Sequence, residues 1–151
     1  MKGKVHSSSK ANHIILIILL VIFVSLIIYL IINQISEMYA QQDPILEKIK
    51  NHISPLHPEV VSSIKFFEGN KSYTINKRKI YLCLRDENSE YYDFNMLVYV
   101  ALHELSHVLC DEIGHTPKFH SIFKNLLKKA VEMNIYDANK PIIMNYCGHT
   151  N

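Results

Sequence analysis

An apolar run of nineteen residues, from Ile14 to Ile32, constrains this chain of 151 residues more than any other feature. The run contains no charged side chain and is interrupted only by Ser25 and Tyr29. As an α-helix it would span about 29 Å, close to the hydrocarbon thickness of a bilayer, which is roughly 30 Å. Because no polar face marks the run, it is not typical of a helix in a globular core. The run therefore predicts a single transmembrane helix.

The residues that flank the run predict its orientation. Three lysines and no acidic residue occupy the first ten positions, whereas acidic side chains begin after the run. This charge difference predicts a cytosolic N-terminus. A cleaved signal peptide is the alternative, but its apolar segment is usually about 7–15 residues long, and the polar residues after the run offer no small-residue cleavage site. The predicted organisation is a basic tail (1–13), a transmembrane helix (14–32), a linker (33–43) and a folded domain (44–151).

The composition beyond the run bears on partners and on the redox environment. From residue 33 onward the chain carries 13 basic and 14 acidic side chains. A nucleic-acid-binding surface needs an excess of basic side chains, so no nucleic-acid partner is expected. The three cysteines, Cys83, Cys110 and Cys147, are too few for a disulfide framework. One pair and one free thiol would suit an oxidising compartment, and the sequence leaves the pair undetermined.

The first part of the folded domain predicts an α+β fold with a short antiparallel sheet. Pro44 opens a helix in which apolar residues recur at helical spacing up to Pro55. The β-branched and aromatic segment Val60–Phe67 predicts a strand. Two further segments, Ser72–Ile75 and Ile80–Arg85, flank a polar turn and predict a hairpin.

A helix that is apolar almost all round is predicted over Met96–Leu109, with Asp93 or Asn95 as its N-cap. Such a helix is buried in the domain, so its few polar side chains should line one internal cleft. Gly114 has the conformational freedom of a residue that ends a helix, and it is predicted to do so here. The polar side chains are His103, Glu104, Ser106 and His107.

These polar residues contain the motif His-Glu-x-x-His. Four residues advance an α-helix by about 400°, so His103 and His107 project from one face about 6 Å apart, a spacing that suits two ligands of one zinc ion. Glu104 lies one step round the helix, where it can reach a zinc-activated water as a general base. His115 follows a short turn that carries it back towards the helix, so it is the predicted third ligand. Glu112 is the alternative ligand.

A second amphipathic helix is predicted directly after His115, with Thr116 as N-cap and Pro117 at the first helical position. Its apolar residues recur at helical spacing and should face the core. They are Phe119, Ile122, Phe123, Leu126, Leu127, Ala130 and Val131.

Together these residues resemble a family. His-Glu-Leu-x-His, a short gap, Gly-His and a phenylalanine at the start of the next helix look like the compact zincins of the SprT-like and WLM metallopeptidase group. The resemblance covers about residues 80–130 and implies that His103, His107 and His115 bind zinc and that Glu104 is the general base. It also implies that Ile80–Arg85 is the edge strand on which an extended peptide lies.

The resemblance does not carry over in every respect. The soluble relatives act on DNA-bound proteins, whereas this chain has a predicted membrane anchor and no excess of basic side chains. Short membrane-anchored versions more closely resemble proteins of large DNA viruses. A host or virion membrane is the expected location.

The predicted function is therefore that of a membrane-anchored, zinc-dependent metallopeptidase that hydrolyses peptide bonds through a zinc-activated water. Its expected partners are a protein or peptide substrate and the lipid bilayer. The alternative is a non-catalytic membrane or virion protein in which a structural zinc ion stabilises the domain. The two hypotheses share their metal ligands and differ in the role of Glu104.

Overall fold

The computed structural model describes residues 5–147 and 149–150, so Lys2 and Lys4 of the predicted basic tail lie outside the described residues. The chain divides into two compact units, Met1–Tyr39 and Ala40–Asn151. The second unit combines four helices with a small sheet, which confirms the predicted α+β class.

The first unit consists of one long helix, α1 (Val5–Ala40). By length and composition alone, its segment Asn12–Ala40 is long and apolar enough to cross a membrane. All side chains of residues 14–32 are exposed, as those of a membrane-spanning segment would be in the absence of lipid. The helix continues through residues 33–40, because neither glycine nor proline interrupts it before Pro44. The first part of the predicted linker is therefore helical.

The second unit begins with α2 (Pro44–Ile53), as the sequence predicts. Asp43 caps this helix, since its carboxylate accepts a hydrogen bond from the Ile45 N–H at 3.0 Å. Arg85 donates a hydrogen bond of 3.1 Å to the same carboxylate and thereby joins α2 to the loop after the sheet. The apolar face of α2 is buried through Leu46, Ile49 and Ile53.

The predicted strand Val60–Phe67 is wrong in its first half. A short helix, α3 (Pro58–Ser63), occupies that part, and β1 (Lys65–Glu68) begins only afterwards. The physical reason is Pro58, whose fixed φ suits the first position of a helix and which starts a helical turn before the β-branched residues. Alternation towards the core is limited to the residues from Ile64 onward.

The sheet contains β1, β2 (Tyr73–Ile75) and β3 (Lys79–Leu82) in the order β1-β3-β2. β3 is antiparallel to β2, so the predicted hairpin is confirmed. The prediction that the whole sheet is antiparallel is wrong, because β1 pairs with β3 in the parallel direction. The expectation that Ile80–Arg85 is an edge strand is wrong, because β3 pairs with β2 on one side and with β1 on the other. The edge strand next to α4 is β2.

The central helix is α4 (Phe94–Leu109), and Asp93 caps it by accepting the Asn95 N–H at 2.9 Å. It packs against α2, α5 and the sheet, so most of its surface is buried, as predicted. The prediction that Gly114 ends this helix is wrong, because Cys110 already leaves the helical conformation. The Cys110 carbonyl accepts a hydrogen bond from Lys77. Gly114 does have a positive φ, of 84°, but in the following loop.

The last long helix, α5 (Pro117–Glu132), begins as predicted, with the Thr116 hydroxyl accepting a hydrogen bond from the Phe119 N–H at 3.3 Å. Phe119, Leu126 and Ala130 are buried. Val131 is 41% exposed, contrary to the prediction, because it lies one step of about 100° beyond Ala130 on the helix.

The C-terminal segment is fastened to the sheet. It forms a small hairpin of β4 (Asn145–Tyr146) and β5 (His149–Thr150). A disulfide joins Cys147 to Cys83 at the end of β3, and Cys110 remains a free, buried thiol. The pairing that the sequence left undetermined is thus Cys83 with Cys147.

Candidate metal centre

Three histidines meet at the surface of α4. His103 and His107 project from one face of this helix, with ring centroids 5.1 Å apart. The loop after α4 brings back His115, whose Nε2 lies 2.9 Å from Nε2 of His103 and 3.2 Å from Nε2 of His107. The structure therefore brings together the three residues that the sequence selected. Their potential ligand atoms all lie within 4.8 Å of one another.

The geometry and chemistry of this cluster fit zinc. Ligand nitrogens at about 2.1 Å from a tetrahedral zinc ion are roughly 3.4 Å apart. The distances from His115 to the two helical histidines lie slightly below this value. Three converging imidazole nitrogens leave one position of a tetrahedron open, the arrangement of catalytic rather than structural zinc sites.

One phenylalanine supports all three imidazoles. Phe119, at the start of α5, is fully buried and stacks on His107 with ring centroids 4.2 Å apart. Its ring also contacts His103 and His115 edge-on, at centroid distances of 5.0 and 4.8 Å. Aromatic contacts of this kind restrict the rotamers of the imidazoles. The phenylalanine that the resemblance associated with the motif thus has a structural role in the cluster.

The environment keeps the helical histidines neutral. Burial, together with the neighbouring His107 and His115, lowers the pKa of His103 to about 4. Burial and the nearby His115 also lower the pKa of His107. A neutral imidazole is the form that binds a metal ion, so these histidines need not lose a proton before they act as ligands at neutral pH.

Glu104 is the only buried carboxylate next to the cluster within the described residues, with 5% of its surface exposed. Burial raises its pKa to about 7, and a hydrogen bond from Thr74 opposes part of that rise. The Thr74 hydroxyl lies 2.9 Å from Glu104 Oε2 and 3.1 Å from the Glu104 backbone carbonyl. A carboxylate with a pKa near neutrality can both accept and release a proton at physiological pH.

These side chains line a cleft of about 710 Å³ between β2 and α4. Two contacts show that the cleft runs along α4. Thr74 contacts Glu104 within the helix, and Lys77 donates a hydrogen bond to the Cys110 carbonyl at the end of the helix. The loop between α4 and α5 forms the rim, where Ile113 is 95% exposed. Glu112, the alternative ligand, is exposed on this rim and is not part of the histidine cluster.

Sequence reasoning did not select several cleft residues. Thr74 alternates with Tyr73 and Ile75 and so lies on the polar face of a predicted strand, but the sequence does not indicate its contact with Glu104. Tyr146 and Cys147 also line the cleft, and they come from a segment to which the sequence gave no role. Their position depends on pairing between segments 64 residues apart, which local patterns do not encode.

Comparisons with known proteins agree with this geometry. A sequence model of the WLM domain matches residues 70–145. Protein 136R of Invertebrate iridescent virus 6 is 53% identical over 91 residues, covering 58% of this chain and 51% of that protein. Protein 042R of Invertebrate iridescent virus 3 is 46% identical over 100 residues, covering 63% of each chain. This chain thus spans about half to two thirds of the length of these relatives.

A similar fold occurs in a solved structure. The crystal structure of Wss1 from Saccharomyces cerevisiae superimposes with a TM-score of 0.50 at 23% sequence identity. The match covers 58% of this chain and 74% of the Wss1 chain. At this level of identity the likeness concerns the fold.

Proposed function

This chain belongs to the WLM domain family, and we propose that it is a zinc-dependent metallopeptidase attached to a membrane. The observation that supports the proposal most directly is the convergence of three imidazole nitrogens beside a buried carboxylate in one open cleft. A structural zinc site would need four protein ligands and no cleft. Hydrolysis of peptide bonds is the reaction that this set of groups fits best.

His103, His107 and His115 would hold the zinc ion, which supplies a Lewis acid that acidifies water and polarises a substrate carbonyl. Glu104 would take the proton from the attacking water and deliver it to the leaving amine. Thr74 would keep the Glu104 carboxylate aimed into the cleft, because its hydroxyl also contacts the Glu104 backbone carbonyl. Removal of bulk water from this carboxylate favours proton transfer at neutral pH.

The peptide substrate would bind in an extended conformation along β2, the strand that borders the cleft. An edge strand offers unpaired backbone N–H and C=O groups, and a peptide can satisfy them by adding a strand to the sheet. This proposal replaces the expected role of Ile80–Arg85, whose first three residues lie in the central strand.

The membrane anchor would be residues 14–32, with the folded domain from residue 44 onward on the side opposite the cytosol. The Cys83–Cys147 disulfide supports this orientation, because disulfides persist in oxidising compartments. Nucleic acid is still not an expected partner. Salt-sensitive DNA binding by the purified chain would contradict that expectation.

The test uses the full chain purified in detergent and loaded with zinc. Glu104→Gln should retain stoichiometric zinc and the thermal stability of the wild type, because glutamine has the same size and Glu104 is not a ligand. Its cleavage of denatured protein should fall by at least 10²–10⁴-fold, the usual contribution of a general base. Equal activity of the two chains, or a zinc-loaded wild type that cleaves nothing, would favour the structural-zinc alternative.

A further inference from the structure

The two ends of the cleft differ in chemistry. Towards the start of α4 it is lined by Met96, Tyr99 and Val100, which lie seven, four and three residues before His103 and so share its face. Towards the end of α4 it is lined by Asn76, Lys77 and Glu112. The histidine cluster lies between an apolar end and a polar end.

The wall of the apolar end is formed by the C-terminal segment. Tyr146 is 7% exposed, and its hydroxyl donates a hydrogen bond to the Cys83 carbonyl and lies 3.3 Å from the Ser72 hydroxyl. The Cys147 N–H donates to the Tyr92 hydroxyl at 2.9 Å. The Tyr146 hydroxyl is thus engaged by Cys83 and Ser72, and Tyr146 is one of the residues that line the cleft.

The disulfide is the one covalent link that holds this wall within the described residues. The residues before it, 141–143, belong to neither helix nor strand, and Ile142, Ile143 and Met144 are 41%, 39% and 67% exposed. The β4–β5 hairpin has only two residues in each strand. Such a small hairpin is only marginally stable alone. The bond from Cys147 to Cys83 therefore adds a covalent restraint to the hydrogen bonds and ring contact that hold Tyr146 against the sheet.

We propose that residues 145–147 and the first half of α4 form an apolar subsite, which receives an uncharged, apolar side chain of the peptide next to the scissile bond. The inference rests on the proposed peptidase function and adds a substrate class to it. Met96, Tyr99, Val100 and Tyr146 carry no charge, so a charged side chain at this end would lose hydration without gaining an ion-pair partner from them, which is costly. At the other end, Lys77 and Glu112 can accept polar side chains.

This wall extends beyond the part of the chain that the family model matches. The WLM match ends at residue 145, so Tyr146 and Cys147 lie beyond it. The floor of the subsite, which is the first half of α4, lies in the matched region, whereas its wall, Tyr146 and Cys147, lies outside that region. Removal of the disulfide should change which peptides are cleaved more than whether zinc is bound.

The experiment measures cleavage of a peptide series by the full, zinc-loaded chain in detergent. The peptides share one sequence and carry leucine, phenylalanine, serine or aspartate on either side of the scissile bond. The oxidised chain should prefer leucine or phenylalanine over aspartate by at least about tenfold at one of the two positions, since burial of an unpaired charge costs several kcal/mol. The double variant Cys83→Ser/Cys147→Ser should lose most of this preference while keeping its zinc.

Two controls separate the subsite from general damage. Reductant should shift the preference of the wild type to that of the double variant and leave the double variant unchanged. Met96→Ala, which enlarges the floor and keeps the disulfide, should move the preference towards phenylalanine. An identical preference in the oxidised, reduced and double-variant chains, or a preference for aspartate at both positions, would overturn the proposal.

A binding measurement distinguishes failure of the subsite from failure of the proposed function. Fluorescence anisotropy of the same peptides on the zinc-loaded Glu104→Gln chain does not require hydrolysis. If no form cleaves but the oxidised chain binds the apolar peptides more tightly than the reduced chain, the peptidase proposal fails and the subsite stands. If cleavage depends on Glu104 but neither binding nor cleavage responds to the disulfide, the subsite fails alone.

Discussion

The two sides of the cleft are built in different ways. The α4 side carries His103, Glu104 and His107 within five consecutive residues, and the rigid helix alone determines their relative positions. The opposite side joins a three-residue edge strand to a C-terminal segment, and a disulfide holds that segment in place. Local geometry thus brings together the groups proposed to react, whereas long-range pairing positions the residues proposed to orient them and to select the substrate.

The largest expected effect tests whether the two histidines of α4 are sufficient to bind zinc. His115→Ala removes the one histidine that does not come from the helix and leaves two ligands, fewer than catalytic zinc sites contain. We expect zinc affinity and peptidase activity to fall by roughly 10³-fold or more, the scale of several kcal/mol that one metal–ligand bond contributes. Zinc titration with a competing chelator measures the change.

Glu112→Ala is the matched control for His115→Ala, because Glu112 lies on the same loop outside the histidine cluster. It should retain zinc. An unchanged zinc affinity in His115→Ala, or a loss in Glu112→Ala, would mean that the loop contributes a different ligand.

A second prediction concerns the aromatic support below the cluster. Phe119→Ala would leave a cavity below three imidazoles and should lower the free energy of unfolding by about 3–5 kcal/mol. Zinc affinity should also fall, because the imidazoles gain rotamer freedom. Phe119→Leu keeps most of the volume and should lose markedly less stability in denaturant titration. Equal losses in the two variants would show that the packing of the ring is not what matters.

A third prediction addresses the opposite wall. The double variant Cys83→Ser/Cys147→Ser should be less stable than the oxidised chain by about 2–4 kcal/mol, because the unfolded chain regains the freedom of a long loop. Chemical denaturation with and without reductant measures the difference. Since α4 makes its own contacts with α2 and α5, the helical part of the site should persist. If the folded double variant lost its zinc, the two sides of the cleft would not be independent of each other, contrary to this prediction.

The smallest effect tests the contact that joins the two sides. Thr74→Val removes the hydroxyl that favours the charged form of Glu104, so the pKa of Glu104 should rise further. Cleavage needs the ionised base, so the acidic limb of the pH–rate profile should move to higher pH. The turnover number at neutral pH should fall about tenfold, the scale of one hydrogen bond to a charged group.

Thr74→Ser is the matched control because it retains the hydroxyl, and it should restore both the acidic limb and the turnover number. A profile that is unchanged in Thr74→Val would remove Thr74 from the mechanism. A loss in Thr74→Ser as large as that in Thr74→Val would assign the effect to packing of the methyl group.

The comparison also explains which parts of the structure could be predicted from the sequence. α2, α4 and α5 were predicted because proline, capping residues and apolar spacing all act within a few residues. The meeting of His103, His107 and His115 followed from the helix and one short turn. By contrast, the neighbours of β3 and the role of residues 145–147 depend on contacts between distant segments. Local patterns carry no information about such pairs, and the incorrect edge position of Ile80–Arg85 is an expectation from the family resemblance alone.

One consequence follows from the shortness of β2. One edge of β2 pairs with β3, and the other borders the cleft in which the Thr74 hydroxyl contacts Glu104. A peptide paired along β2 would therefore also steady the carboxylate that activates water. Poorly paired or truncated peptides should then be turned over slowly even at saturating concentration, because the lost contacts act on kcat rather than on KM alone. Under the proposed function, the strand would make recognition of the peptide backbone a condition for catalysis.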